Sequence, residues 1–138
     1  MTPPTLEPPE PPEPTEPATM RNPSPFERGT PMPGGYRDVS PAATLTARGR
    51  ARLVDVREPH EFHGELGRIP GAELVPLATV PAHAGAWDRD ADIILICRSG
   101  ARSGRAAEFL ARAGFRRAMN MAGGMLAYNA AGLPVEKS

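Results

Sequence analysis

Cys97 is the only cysteine in 138 residues. The run that contains it reads Cys97-Arg98-Ser99-Gly100-Ala101-Arg102-Ser103. A thiol reacts as thiolate, and with an ordinary pKa of about 8.5 it needs a positive setting to be useful near neutral pH. Arg98 and Arg102 place two cations within five residues of the sulfur. Gly100 allows a backbone turn closed to other residues. A tight loop can turn its amides inward as an anion-binding nest. A helix starting near Ser103 would add roughly half a positive charge at its N-terminus. Together these features would lower the thiol pKa and hold an anionic substrate beside it. The plain alternative is a buried structural cysteine. An inert thiol has no need of two flanking arginines, although exposure with carboxylate partners such as Asp55 or Glu58 stays open as an account of one of them.

A reactive loop needs rigid elements on either side. Ile93-Ile94-Leu95-Ile96 is apolar on both faces, which suits a central parallel strand covered by helices. Cys97 follows it directly, at the carboxyl end, where open parallel sheets bind their ligands. A helix is predicted from Ser103 to Ala113, with Ala106, Ala107, Phe109, Leu110 and Ala113 covering one side and Gly114 ending it. Upstream, Ser40-Pro41 is an N-cap with proline at the first helical position, starting a short helix from Ala42 to about Arg48. Arg52 to Val56 is a strand and Glu58 to Phe62 a helical turn. Ile69 to Ala72 is a turn, Glu73 to Leu77 a brief strand, and Thr79 to Ala84 a weak helix. Ala118 to Met121 is a last strand, and Gly123-Gly124 opens a helix through Tyr128 to Ala131. Alternating strands and helices predict an α/β domain with a central parallel β-sheet.

The composition is uneven. Proline accounts for 18 residues, and 12 of them lie in the first 35. That segment holds five glutamates against two arginines, whereas the remainder holds 14 basic residues against 11 acidic ones. The formal net charge of zero is therefore a cancellation. A proline- and glutamate-rich segment lacks the amides for a ladder and the apolar residues for a core, so residues 1–35 are expected to form a disordered tail. Pro8 and Pro11 have the spacing of a ligand for a proline-recognising domain. The folded domain is expected to span residues 36–138, long enough for one real core.

Several classes fall away. No stretch approaches 18 apolar residues, so no membrane partner is expected. The first residues lack a basic and an apolar region of a secretory signal. One cysteine makes neither an internal disulfide nor a cysteine-rich zinc site, which points to a reducing cytoplasm. The charge gives no footprint for nucleic acid. His60 and His63 flank Glu61 with H-x-x-H spacing but lack a third ligand, so no metal and no cofactor are expected. Trp87, Phe109 and Phe115 are expected in the core.

Four motifs in order resemble the rhodanese family of sulfurtransferases in its single-domain bacterial form. Leu53-Val54-Asp55-Val56-Arg57-Glu58-Pro59-His60-Glu61-Phe62 is similar to the family's first signature. Gly67-Arg68-Ile69-Pro70-Gly71-Ala72 is similar to its G-H-I-P-G-A turn, with Arg68 where His is usual. Cys97 to Ser103 is similar to its active-site loop. Gly123 to Tyr128, with Ala131-Gly132-Leu133-Pro134-Val135, is similar to its end, where tryptophan is frequent at the position of Tyr128. The resemblance implies a thiosulfate sulfurtransferase with Cys97 as nucleophile and persulfide carrier. It implies Arg98, Ser99, Gly100, Ala101, Arg102 and Ser103 as the residues that bind a small anionic sulfur donor. Asp55 and Arg57 would brace the loop from a neighbouring strand end, or form a purely structural pair. The acceptor would be an external thiol or cyanide, a protein thiol included, since no second cysteine can resolve the persulfide.

Other readings compete. A cysteine phosphatase or arsenate reductase of similar fold typically has arginine six positions after the cysteine, where this chain has Ser103. A non-catalytic binding module would have no need of Cys97 and both arginines. A sulfur carrier serving a dedicated protein would share the chemistry but not the physiological reaction.

Overall fold

The computed structural model describes residues 24–137. The Pro-x-x-P spacing and most of the expected tail lie outside the described residues. The expectation of disorder through residue 35 is corrected within them. Pro25–Arg28 forms a short helix, α1, and Thr30–Pro31 a short strand, β1. The cause is a capping box: Ser24 Oγ accepts from the Glu27 amide, while the Glu27 carboxylate accepts from the Ser24 amide. Phe26 then packs against the core and lies between two guanidinium groups, Arg37 at 4.2 Å and Arg117 at 5.0 Å from its ring centre.

The remaining elements are β2 (Arg37–Val39), α2 (Pro41–Thr46), β3 (Arg52–Asp55), α3 (Pro59–Phe62), β4 (Glu73–Leu74), α4 (Val80–Ala84), β5 (Ile93–Ile96), α5 (Ala101–Arg112), β6 (Ala118–Met121) and α6 (Gly124–Ala130). Of these, β2 was not expected, and β4 ends at Leu74 because Leu77 already opens a 3-10 turn; the others follow the predicted alternation. Ser40 caps α2 through a 3.0 Å bond from the Ala43 amide to its hydroxyl. The six strands form one sheet in the order β1-β2-β6-β5-β3-β4, parallel throughout except for the antiparallel edge strand β1. Pro31 is tolerated there because an edge strand need not donate on its outer side.

Strand β5 sits inside the sheet, with β3 and β6 as its neighbours. Side chains alternate across a strand, and two cores result. Ile93, Leu95 and Cys97 join Val54, Val56, Ala106, Ala107, Leu110 and Phe115 on one face. Ile94 and Ile96 join Leu53, Met119, Met121, Met125 and Tyr128 on the other. With apolar layers on both sides, the β5 residues are fully buried, which holds the strand end beneath Cys97 rigid. Trp87 and Phe115 are buried as expected, but Phe109 is 41% exposed. The stripe of α5 that faces the sheet is Ser103, Ala106, Ala107 and Leu110, which turns Phe109 outward.

Helix α5 begins at Ala101, two residues before the expected start. Gly100 at its N-cap adopts φ +100°, and this left-handed residue turns the chain from the end of β5 straight into the helix. Ser103 therefore lies in the first turn and faces inward rather than capping the helix.

Candidate active site

The loop between β5 and α5 wraps the sulfur of Cys97. The Gly100 amide donates to Sγ over 3.0 Å, and Ser103 Oγ lies 3.2 Å from it. Cys97 itself has 0% exposed surface. Burial alone would raise its pKa. Hydrogen bonds from the Ser103 hydroxyl and from the amides of Ser103, Gly100 and Ser99 outweigh burial, and the thiol is lowered from its ordinary value. The nest of amides anticipated from the glycine and the helix start is thus present. The dominant lowering influence is hydrogen bonding at the helix start rather than the arginines.

The loop is anchored from below by α6. The amides of Met125 and Leu126 donate to the carbonyls of Cys97 (2.8 Å) and Arg98 (3.0 Å). This approach explains Gly124: a Cβ there would lie 2.4 Å from the Arg98 carbonyl carbon and oxygen.

The two loop arginines have different situations. Arg102 forms two parallel hydrogen bonds of 2.8 Å each to the Glu61 carboxylate on α3. That bond, ahead of the others, lowers the Glu61 pKa to about 2, and it raises that of Arg102. The carboxylate partner anticipated for one arginine thus exists, but it is Glu61 rather than Asp55 or Glu58. Arg98 is exposed and makes no ion pair among the described residues. It borders a cavity of about 250 Å³ whose other walls include Arg57, Glu61, Glu65 and Leu66. Cys97 is not part of that lining; the cavity lies on the Arg98 flank of the loop. Ser99 and Ala101 are exposed, so they contribute backbone to the rim.

Asp55 and Arg57 are both buried, 0% and 1% exposed. Arg57 donates through Nε (2.9 Å) and through a terminal nitrogen (2.7 Å) to the Asp55 carboxylate. Its remaining bonds go to the carbonyls of Glu61 and Gly67. Arg57 therefore ties α3, and with it the partner of Arg102, to the end of β3. It braces the rim and does not touch the sulfur.

Three residues at the site were not among the expected site residues. Glu61 lies in the first signature and between two histidines, but neither assigned it a role. Asn120 on β6 accepts from Ser103 Oγ over 2.5 Å, and its Nδ2 donates to Asp38 over 3.0 Å. A polar residue inside the apolar run Ala118-Met119-Asn120-Met121 was a signal for Asn120, since buried polar groups need partners. Asp38 had no such signal, because β2 was not recognised as a strand. Among the described residues no group of three or more histidine, cysteine or acidic residues could hold a metal. His63 instead packs edge-on against Phe62. No helix of the described residues is long and apolar enough to cross a membrane.

Residues 39–131 match the model of the rhodanese-like domain. The chain is 39% identical over 83 residues to a sulfurtransferase of Allochromatium vinosum, covering 60% of this chain and 76% of that one. It is 32% identical over 98 residues to a thiosulfate sulfurtransferase of Pseudoalteromonas translucida, covering 70% of this chain and 91% of that one. A solved rhodanese-related protein from Thermoplasma volcanium superposes with a TM-score of 0.66 at 28% identity, covering 75% of this chain and all of the other.

Proposed function

The chain belongs to the rhodanese-like domain family of sulfurtransferases, and on that premise we propose that it moves a sulfane sulfur through a persulfide on Cys97. The observation that carries this reading is the sulfur held at the start of α5, with a lowered pKa and an amide nest around it. The Cys97 thiolate attacks the outer sulfur of a donor such as thiosulfate. An S–S bond forms to Sγ, the bond from the outer sulfur to the sulfonate sulfur breaks, and its electron pair leaves with sulfite. Cys97 then carries a persulfide anion. A cyanide carbon or a thiolate sulfur attacks the outer atom, the S–S bond breaks, and the electron pair returns to Cys97 as thiolate.

The loop from Arg98 to Ser103 supplies two kinds of stabilisation. Its amides receive the persulfide charge, which is electrostatic preorganisation of the oxyanion-hole type. Its guanidinium groups receive the sulfonate. Arg98 makes no ion pair among the described residues and takes the first contact. Arg102 is already bonded to Glu61, so its part depends on hydrogens that Glu61 leaves free or on exchange of Glu61 for donor. Since Cys97 has no exposed surface, the rim has to move as the donor enters.

Ser103, at the sixth position after the cysteine, brings a hydroxyl rather than a guanidinium to the sulfur. This favours sulfur transfer over phosphatase chemistry, which needs a guanidinium there to hold a tetrahedral phosphate. A cytoplasmic setting accords with an exposed rim around a lone reactive thiol. Initial rates measured with thiosulfate and cyanide varied together test the scheme. Parallel double-reciprocal lines are expected; intersecting lines would point to direct transfer without a persulfide.

A further inference from the structure

From Ile93 to Val135 the chain carries six arginines and a single acidic residue, Glu108. Four of the arginines are in ion pairs: Arg102 with Glu61, Arg112 with Glu108, Arg116 with Asp90 and Arg117 with Asp92. Arg98 and Arg105 make no ion pair among the described residues, and both are exposed. Arg98 follows Cys97 in the loop. Arg105 lies one turn into α5, on the face that it shares with Ala101 and Phe109 at four-residue spacing. That face turns away from the sheet, and all three residues are exposed.

The exposed large apolar side chains among the described residues are Phe109 and Leu126. They sit on the two helices that hold the loop. Leu126 is 40% exposed and donates its amide to the Arg98 carbonyl. Phe109 lies eight residues beyond Ala101, about 12 Å along the helix axis. A donor the size of thiosulfate that touches the sulfur and Arg98 does not reach Phe109. A cation without an ion pair and an exposed ring, on a helix that starts at the reactive loop, suit a larger ligand. Arginine and aromatic residues are enriched where proteins meet, and a surface of one sign favours a partner of the other.

We propose that the outer face of α5, from the rim at Arg98 through Arg105 to Phe109, docks a protein acceptor: an acidic segment that carries a thiol and, about four residues from it, an apolar side chain. The inference rests on the sulfur-transfer reading and names the acceptor class of that site. Carboxylates of the segment pair with Arg98 and Arg105. Its apolar side chain covers the Phe109 ring. An extended segment gains about 3.3 Å per residue, so four residues span the length of α5 from Ala101 to Phe109. The acceptor thiolate attacks the outer sulfur of the Cys97 persulfide. The S–S bond to Sγ breaks, its electron pair returns to Cys97, and the acceptor leaves as a persulfide.

The experiment loads the full chain with thiosulfate, removes the donor and follows loss of the Cys97 persulfide by quenched mass spectrometry. The acceptors are cyanide, the peptide Leu-Glu-Glu-Gly-Cys-Gly-Glu-Glu-Leu and its counterpart with lysine for glutamate. Peptide rates are expressed per thiolate, because neighbouring charges shift a thiol pKa in opposite directions. The acidic peptide is expected to discharge the persulfide about fivefold faster than the basic one, the size of one or two exposed charge pairs. Arg105→Glu should remove or reverse that preference. Phe109→Ser should slow both peptides about threefold, for partial burial of one ring. Discharge by cyanide should be unchanged in both variants. Failure to load Cys97 would overturn the sulfur-transfer reading together with this one. Normal loading and cyanide discharge, with equal peptide rates or a preference untouched by Arg105→Glu, would overturn the docking face alone. Faster discharge of Arg105→Glu to every acceptor would give the face to the chain's own acidic first residues. A dimer that Phe109→Ser dissociates would give it to a second copy. Either result would also overturn the proposal.

Discussion

Arg102 and Glu61 lie 41 residues apart in sequence and meet in a bidentate ion pair, with both hydrogen bonds at 2.8 Å. The pair joins the helix that starts beneath the sulfur to the helical turn that forms the opposite rim. Arg102 is 29% and Glu61 20% exposed, so the pair is only partly screened by water. A donor sulfonate reaching Arg102 would meet a guanidinium already occupied.

The first prediction concerns what Arg102 does. Arg102→Ala is expected to lower kcat/KM for thiosulfate by roughly 10- to 100-fold, the range of one or two charge-assisted hydrogen bonds. Alkylation of Cys97 should change much less, since amides and Ser103 dominate the lowering of the thiol pKa. Equal losses in both assays would mean that Arg102 tunes the thiol instead of binding donor.

The second follows from Glu61. Its pKa is about 2 in the folded protein against 4.5 ordinarily. A carboxylate with a lowered folded pKa stabilises the protein fully above its unfolded pKa and loses that contribution as pH falls through the folded value. Stability should therefore drop between about pH 4.5 and pH 2, by an amount on the order of 2 kcal/mol after allowance for partial exposure. Urea unfolding across that range, with Glu61→Gln alongside, measures it. The variant curve should be flatter there; superimposable slopes would remove Glu61 from the acid response.

The third concerns the buried pair. Asp55→Ala would leave Arg57 buried with an uncompensated charge, and loss of one partner in such a pair costs about 3–5 kcal/mol. Thermal unfolding is expected to show a large fall in Tm. Rates normalised to folded protein should fall as well, because Arg57 holds the Glu61 segment through its carbonyl. A mild change in Tm would show that Asp55 contributes little to holding this edge.

The fourth tests the floor of the loop. Gly124→Ala places a methyl 2.4 Å from the Arg98 carbonyl at a residue with φ +59°. The peptide between Arg98 and Ser99 must then shift, and with it the amide nest. Sulfur transfer is expected to fall at least 100-fold, since displacements of about 1 Å at a reacting centre have effects of that size. Gly132→Ala is the control, because a Cβ there meets nothing within 4 Å, although φ +73° adds strain. Similar losses in both would assign the effect to backbone strain rather than to the contact.

Much of this architecture was legible in the chain. The four isoleucine and leucine residues before Cys97 fixed the buried strand, and Gly100 marked the turn that presents the sulfur. Ser40-Pro41 and Gly114 bounded helices because caps and breakers act locally. Residues whose roles depend on distant partners were not legible. The Ser24–Glu27 capping box was obscured by surrounding prolines, and Phe26 gains its place through the core and through the distant Arg37 and Arg117. Glu61 finds Arg102 through the packing of α3 against the loop, which no local pattern encodes. Asn120 and Asp38 meet because β2 pairs with β6 across 82 residues of sequence. Phe109 fitted an apolar stripe but falls at its edge, where the helix turns away from the sheet.

The most direct test of the account is intact-protein and peptide mass spectrometry after incubation with thiosulfate. The account predicts the added mass of one sulfur atom on Cys97, removed by cyanide or by a thiol, and absent from Cys97→Ser. No adduct with thiosulfate or with any other sulfane donor, in protein whose Cys97 still alkylates, would contradict it.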